Sequence, residues 1–168
     1  VYDGTGALTH YREENLTFIA DDVTATLGLS WNPASGAVAN LNGEYSILQW
    51  DEREQSNTFL ADGTPDVFRL FGGSEDEIES EISGDYEFGL GAGRLKIIGL
   101  NRYEDSPYNT TIRFFDLNNG DLIDAVRYRQ TVEEGESILR TEYSWSSSDK
   151  SDWQISLEGA FNYLDNHS

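Results

Sequence analysis

The sequence predicts an all-β fold, an antiparallel up-and-down meander in which each strand pairs with the next one along the chain. Apolar and polar residues alternate with a period of two in segment after segment, whereas a helical period is hard to find. Polar connections separate these segments. The alternation predicts about six strands, which span residues 23–31, 37–50, 77–88, 94–103, 135–145 and 152–163.

The first two predicted strands have one apolar and one polar face. The apolar parity of the first contains Val23, Ala25, Leu27, Leu29 and Trp31. The apolar parity of the second contains Ala37, Ala39, Leu41, Gly43, Tyr45 and Ile47. Val38 and Leu48 are the exceptions on its polar side, so both segments read as strands between unlike environments.

The third strand is the most clearly sorted, and the fourth is the least. Ile78, Ile82, Tyr86 and Phe88 share one parity of the third strand, opposite Glu79, Glu81, Ser83, Asp85 and Glu87. In the fourth strand, Ile98 and Leu100 fall in the same parity as Lys96. Either a β-bulge or a locally apolar stretch of the polar face explains this, and the sequence leaves both open.

Regular alternation returns in the last two strands. The apolar parity of the fifth contains Leu139, Thr141, Tyr143 and Trp145, opposite Glu136, Arg140, Glu142 and Ser144. That of the sixth contains Trp153, Ile155, Leu157, Gly159, Phe161 and Tyr163, opposite Gln154, Ser156, Glu158 and Asn162. The polar parities of strands three, five and six hold enough charge to require water beside them.

The connections alternate between two kinds. Residues 32–36, 89–93 and 146–151 are short and rich in Gly, Ser, Asn or Pro, as hairpin turns are. Residues 51–76 and 104–134 are long and polar, and we expect them to be loops. Short turns at one end and long extracellular loops at the other are typical of outer-membrane barrels. The meander is therefore predicted to be part of a transmembrane β-barrel.

Aromatic residues support the membrane interpretation. Those close to the short turns all have the apolar parity, and they are Trp31, Tyr86, Phe88, Tyr143, Trp145 and Trp153. Amphipathic rings gathered at one level are typical of a membrane interface. Aromatic core residues of a soluble sheet are the alternative, which explains their parity but not their position at one end.

Composition excludes several classes of function. The chain has 11 Lys and Arg against 31 Asp and Glu, a formal net charge of −20, so nucleic acid is not an expected partner. Cysteine is absent, which removes disulfides and thiolate nucleophiles. His10 and His167 lie near the two ends. We predict no enzyme activity, no catalytic, metal or cofactor residues and no cofactor; the ligand-binding residues stay unknown.

Two glycine- or aspartate-rich segments superficially suggest ligand sites. Residues 89–93 do not satisfy the G-x-G-x-x-G pattern and precede a predicted strand, so they predict a turn instead of a phosphate loop. Residues 116–121 alternate oxygen ligands with spacers, as calcium loops do, but lack the closing Glu. Asn119-Gly120 is an ordinary turn signal.

Three segments resemble the barrel of TonB-dependent outer-membrane receptors. They are Asp85–Leu100, Gly135–Trp145 and Asp152–Phe161, and the resemblance extends over roughly residues 16–166. It implies a 22-stranded barrel around an N-terminal plug in the bacterial outer membrane. Such a receptor imports a scarce nutrient, such as a ferric siderophore, with energy delivered by TonB. The implied partners are the lipid bilayer, the imported small molecule and TonB, which would act through the plug.

The sequence departs from that pattern because it carries no plug, TonB box, signal peptide or aromatic terminal residue. We therefore expect an internal segment of barrel wall, spanning 1–168, which does not fold by itself. The alternatives are another outer-membrane barrel of the porin type, or a soluble antiparallel β domain for adhesion or carbohydrate binding. In the soluble alternative the apolar face must pack against a second layer.

Overall fold

The computed structural model describes all 168 residues and contains one antiparallel sheet. Six strands run in the order of the chain, which confirms the predicted all-β meander. Their bounds are β1 His10–Trp31, β2 Val38–Leu60, β3 Pro65–Leu90, β4 Gly93–Asp116, β5 Leu122–Ser148 and β6 Ser151–His167. The structure contains no helix long and apolar enough to cross a membrane.

The strands are longer than predicted, and the two long loops are wrong. Residues 51–76 and 104–134 continue the strands, with tight turns at 61–64 and 117–121. These parts of the chain carry polar residues in both parities, so alternation does not reveal them. Cross-strand backbone hydrogen bonds hold them in the sheet regardless of that pattern, because the pairing needs only a complementary neighbour.

Turns define two edges of the sheet. The lower edge contains the connections β1–β2, β3–β4 and β5–β6, and the upper edge contains β2–β3 and β4–β5. The β3–β4 connection consists of Gly91 and Ala92 alone, and Gly91 has φ +60°. A left-handed conformation of this kind strains residues with a Cβ, which explains glycine here. The three predicted short turns all lie on the lower edge.

The strand register determines which residues share a side of the sheet. Val23, Ile47, Ile78, Asp105, Glu133 and Asp165 are successive cross-strand partners. We call the side that carries this row face A, and the opposite side face B. Because side chains alternate along a strand, face A takes the odd residues of every strand except β3, where it takes the even ones.

The sheet is a single layer. Only four residues are buried, namely Ala37, Ser56, Gly73 and Ser106. No second layer covers either face, and the outer sides of β1 and β6 have no partner strand. The sheet is held by backbone pairing along its strands and has no apolar core.

The fourth strand contains no bulge in the segment where its alternation fails. The partners of β4 follow one another without a shift from Gly93 to Asp105 on both neighbouring strands. Ile98 lies opposite Asp85 and Arg140, and Leu100 lies opposite Ile138. Of the two alternatives, a locally apolar stretch of the polar face is therefore the correct one.

Candidate functional site

Face A carries a continuous apolar band in the lower half of the sheet. The band consists of the face A residues within 23–31, 39–47, 78–88, 95–103, 135–145 and 153–163. Its large side chains are exposed, for example Leu157 at 78%, Val23 at 66% and Phe161 at 65%. Each segment has the length of a tilted transmembrane strand, about 9–11 residues.

The band contains no charged side chain. Its polar members are limited to Ser80, Asn101, Ser137 and Thr141. Asp, Glu, Lys and Arg make up 25% of the chain, so their absence from the whole band is a strong bias. A charged side chain facing lipid at the bilayer midplane costs about 2–4 kcal/mol, and a surface of this composition avoids that cost.

Aromatic residues line the lower border of the band. Trp31, Tyr86, Phe88, Tyr143, Trp145 and Trp153 all lie on face A near the lower edge, as their parity predicted. Neighbouring rings stack, with centroid distances of 5.2 Å for Tyr86 and Phe88 and 5.4 Å for Tyr143 and Trp145. The Trp145 and Trp153 rings stack across β5 and β6 at 6.5 Å. They form a row of amphipathic rings at one level.

A second aromatic row lies at the upper border, and the sequence analysis missed it. Tyr45, Tyr103 and Tyr163 fall on one cross-strand row, together with Ser80 and Gly135. The Tyr163 ring covers Gly135 so closely that a Cβ there would lie 2.0 Å from the ring. The available signal was a tyrosine near the upper end of strands two, four and six.

The spacing between the two aromatic rows can be compared with a bilayer. Trp31, at the lower end of β1, lies on the same row as Tyr86, Thr141 and Leu157, well above the lower ends of β5 and β6. Measured from this row, the turns of the lower edge lie about one residue lower with each successive strand. This stagger corresponds to a strand tilt of roughly 35–40°. With that tilt, the segment from Tyr163 to Trp153 rises about 25 Å, the height of an outer-membrane apolar band.

Face B is charged at the height of the band. Its acidic and basic side chains there include Glu79, Glu81, Asp85, Glu87, Arg94, Lys96, Arg102, Arg140, Glu142 and Glu158. Arg140 Nη2 lies 2.6 Å from Glu142 Oε1, and Arg94 pairs with Glu87. Those of β3, β5 and β6 share one face, as their parity predicted, and the register adds the three basic residues of β4 to the same face. Charged side chains in such numbers must be solvated by water or paired with opposite charges. Face B is therefore the hydrated side of the sheet.

Three carboxylates on this face approach one another at the upper border of the band. Oxygens of Glu77, Glu79 and Glu104 lie within 4.8 Å of each other. Arg102 reaches two of them, with Nε 2.7 Å from Glu79 and Nη2 3.1 Å from Glu104. The arginine charge offsets much of the repulsion among them, so we interpret the group as an ion-pair network.

Above the band, face B becomes aromatic. Phe18, Trp50, Phe71 and Tyr108 form the upper aromatic cluster, in which the Trp50 ring lies 5.8 Å from both Phe18 and Tyr108. The Trp50 indole Nε1 donates a hydrogen bond of 2.7 Å to Glu75 Oε2. Sequence reasoning missed this cluster because Phe18 precedes the first predicted strand, whereas Trp50, Phe71 and Tyr108 lie in or beside the segments predicted as loops. Phe18 is exposed and the other three rings are half-buried. Rings of this kind beside a carboxylate suit contact with a flat or sugar-like ligand.

The two segments set aside as ligand motifs are turns, as predicted. Residues 89–93 form the β3–β4 hairpin. In 116–121, Asp116 Oδ1 accepts from the Asn118 backbone N–H at 2.7 Å, and Asn119 Oδ1 accepts from that of Asp121 at 2.8 Å. Both oxygens are therefore engaged in local turn bonds. In comparisons with known proteins, no family model and no curated protein matches this chain.

Proposed function

We propose that the chain is a section of transmembrane β-barrel wall in an outer-membrane transporter of the TonB-dependent receptor type. Face A faces lipid, and face B faces an aqueous lumen. The observation that carries the proposal is the band on face A, which is exposed, free of charged side chains and bordered by aromatic rows above and below. Exposed apolar surface of this extent favours a membrane or another apolar partner.

The soluble alternative needs a second layer over face A, and the sheet has none. A soluble sheet also has no physical reason to border its apolar face with rings at both ends. The spacing of about 25 Å between the rows supports a bilayer instead. The open edges of β1 and β6 would need partner strands, since unpaired edges do not occur in lipid.

The upper halves of the strands support a receptor more than a simple pore. Strands of 22 to 27 residues, β1 to β5, exceed what a bilayer crossing needs by a factor of about two. They therefore form a tall wall beyond the membrane. The upper aromatic cluster lies on the lumen face of that wall, where we propose that it contacts an imported small molecule such as a ferric siderophore.

Cysteine labelling tests the orientation of the faces. The chain has no cysteine, so Leu157→Cys and Glu158→Cys introduce single thiols at adjacent positions on opposite faces. In native membranes, we expect a water-soluble maleimide to label position 158, and position 157 to react only with a lipid-soluble one. Equal reaction of both positions with the water-soluble reagent would overturn the proposed orientation.

Energy coupling tests the receptor type separately. In cells that depend on this protein for ferric siderophore uptake, removal of TonB should abolish uptake while leaving the protein in the membrane. A protein that still passes the substrate without TonB would be a pore, which is the porin-type alternative. Labelling of position 157 is unaffected by this result, so the two tests fail independently.

A further inference from the structure

The basic residues are divided between the two faces by whether they have ion-pair partners. On face B, six side chains each pair with a carboxylate, namely Arg12, Arg69, Arg94, Lys96, Arg102 and Arg140. On face A there are four arginines, Arg53, Arg113, Arg127 and Arg129, and none lies within 4.0 Å of a carboxylate oxygen. Arg129 Nε donates instead to Asn109 Oδ1 at 2.8 Å. In a chain with 31 acidic residues, four arginines without an ion pair need an explanation.

The four arginines lie close together in the upper half of face A. Arg53, Gly72, Thr111 and Arg127 occupy one cross-strand row. Arg113 lies two positions above that row on β4, and Arg129 lies two positions below it on β5. All four side chains are exposed. We call them the arginine patch.

A groove of about 680 Å³ runs beside the patch. Arg53, Arg113 and Asn109 line it. The β3 residues at its base, Gly72 and Ser74, have small or no side chains and leave the groove deep. Two acidic residues, Asp51 and Glu52, also line the groove. Arginine forks beside amide and hydroxyl groups are suited to phosphate oxygens, which they bind bidentately, and a low floor admits a sugar ring.

The height of the patch restricts what reaches it. The arginines lie six to ten residues above the ends of the band on their own strands, which is roughly 15–25 Å above the row of Tyr45. Face A carboxylates lie between the two levels, at Asp76, Asp105 and Glu133. These repel anions placed directly above the lipid. An anionic group is therefore attracted only where it stands well clear of the acyl chains.

We propose that the arginine patch binds phosphate groups on the oligosaccharide headgroup of an anionic glycolipid embedded in the same membrane. The inference rests on the proposed function, because it places the patch on the lipid side of the wall. A phosphate carried on a headgroup of several sugars reaches this height, whereas the phosphate of a simple phospholipid lies below the acidic level.

The test uses the protein extracted into detergent and, as probe, a lipopolysaccharide whose core oligosaccharide is complete and carries phosphate. R53Q/R113Q removes two charges from the groove, and R12Q/R94Q removes two charges from exposed arginines of face B as a matched control. We expect the groove variant to bind the probe about tenfold or more weakly, and the control to bind it like the unmodified protein. Binding should weaken with salt and with phosphatase treatment of the probe.

Three results would overturn the proposal: equal binding by R53Q/R113Q, equal binding of the dephosphorylated probe, or displacement by an equal concentration of inorganic phosphate. Displacement of the bound probe by an acidic protein would also overturn the proposal. Labelling at positions 157 and 158 reports the membrane orientation separately. If labelling contradicts the orientation, the glycolipid proposal fails with the proposed function. If labelling supports the orientation and R53Q/R113Q still binds the probe equally, only the arginine patch is ruled out.

Discussion

At the scale of single residues, Leu157 and Glu158 show how finely the two environments are divided. They are neighbours in the chain, yet Leu157 belongs to the band and is 78% exposed, while Glu158 lies on the charged face near Arg140. The proposed function assigns hydrocarbon to one and water to the other. Substitutions at such adjacent positions therefore have opposite expected effects.

If face A faces lipid as proposed, Leu157→Arg should destabilise the protein by about 2–4 kcal/mol, because position 157 lies near the middle of the band, where a charge must be taken into lipid. Ser156→Arg on face B is the matched control and should cost little. Unfolding in urea from reconstituted bilayers measures both. Equal losses of stability would contradict the assignment of the faces.

Gly135→Ala should destabilise the protein by roughly 1–3 kcal/mol, because the new Cβ would overlap the Tyr163 ring, 2.0 Å away, and force it out of the tyrosine row. Gly159→Ala is the control, since a Cβ there meets no atom within 4 Å. The same unfolding measurement applies. A neutral effect at Gly135 would show that the ring does not cover this glycine.

The β2–β3 turn should depend on pH. A hydrogen bond from the Thr64 backbone N–H is the largest cause that lowers the pKa of Asp62 below 3.8. The ionised carboxylate thus stabilises the turn above the ordinary carboxyl pKa, and this contribution is lost as the pH falls through the lowered value. Amide exchange at Thr64, corrected for intrinsic rate, should speed up in that range. Asp62→Ala should remove the pH dependence, and a response that persists would identify another group.

At the scale of elements, each strand has two halves with different partners. The lower halves of β2 and β3 carry the apolar band on face A, while their upper halves carry Trp50 and Phe71 on face B. The more apolar face is thus face A below the upper tyrosine row and face B above it. Under the proposed function, the wall leaves the membrane at that height and has water outside, so apolar side chains are no longer needed on face A.

Trp50→Ala should reduce uptake of the imported ligand about tenfold without removing the protein from the membrane, because Trp50 is central to the upper aromatic cluster. Phe115→Ala is the control, since Phe115 packs against Phe68 at 6.0 Å on face A, seven residues further up β4 than the row of Trp50. Ferric siderophore uptake by whole cells measures both. Equal loss in the control would mean that the cluster only stabilises the wall.

At the scale of the whole molecule, a single layer with four buried residues has no core of its own. Backbone pairing contributes little net stability without burial of apolar surface, and the proposed function assigns the remainder to lipid on face A and to strands beside β1 and β6. Residues 1–168 alone, in buffer without detergent, should therefore show no cooperative melt. A sharp two-state transition in circular dichroism would contradict this expectation.

The sequence alone determined that the chain is all-β, that it has six strands, and that the aromatic and charged residues of the lower halves lie on opposite faces. These properties are local, because a period of two assigns a residue to a face whatever lies on the next strand. The upper halves, which carry polar residues in both parities, offered no such pattern, and the predicted loops at 51–76 and 104–134 were wrong for that reason.

Only the tertiary structure decided which residues stand side by side across strands. Tyr45, Tyr103 and Tyr163 are far apart in the chain, as are Arg53, Arg113 and Arg127, and the register brings each set together. Register depends on turn positions and on non-local hydrogen bonding, which the alternation of one strand does not contain. The rows of the sheet, and the surfaces they form, are therefore properties of the paired strands.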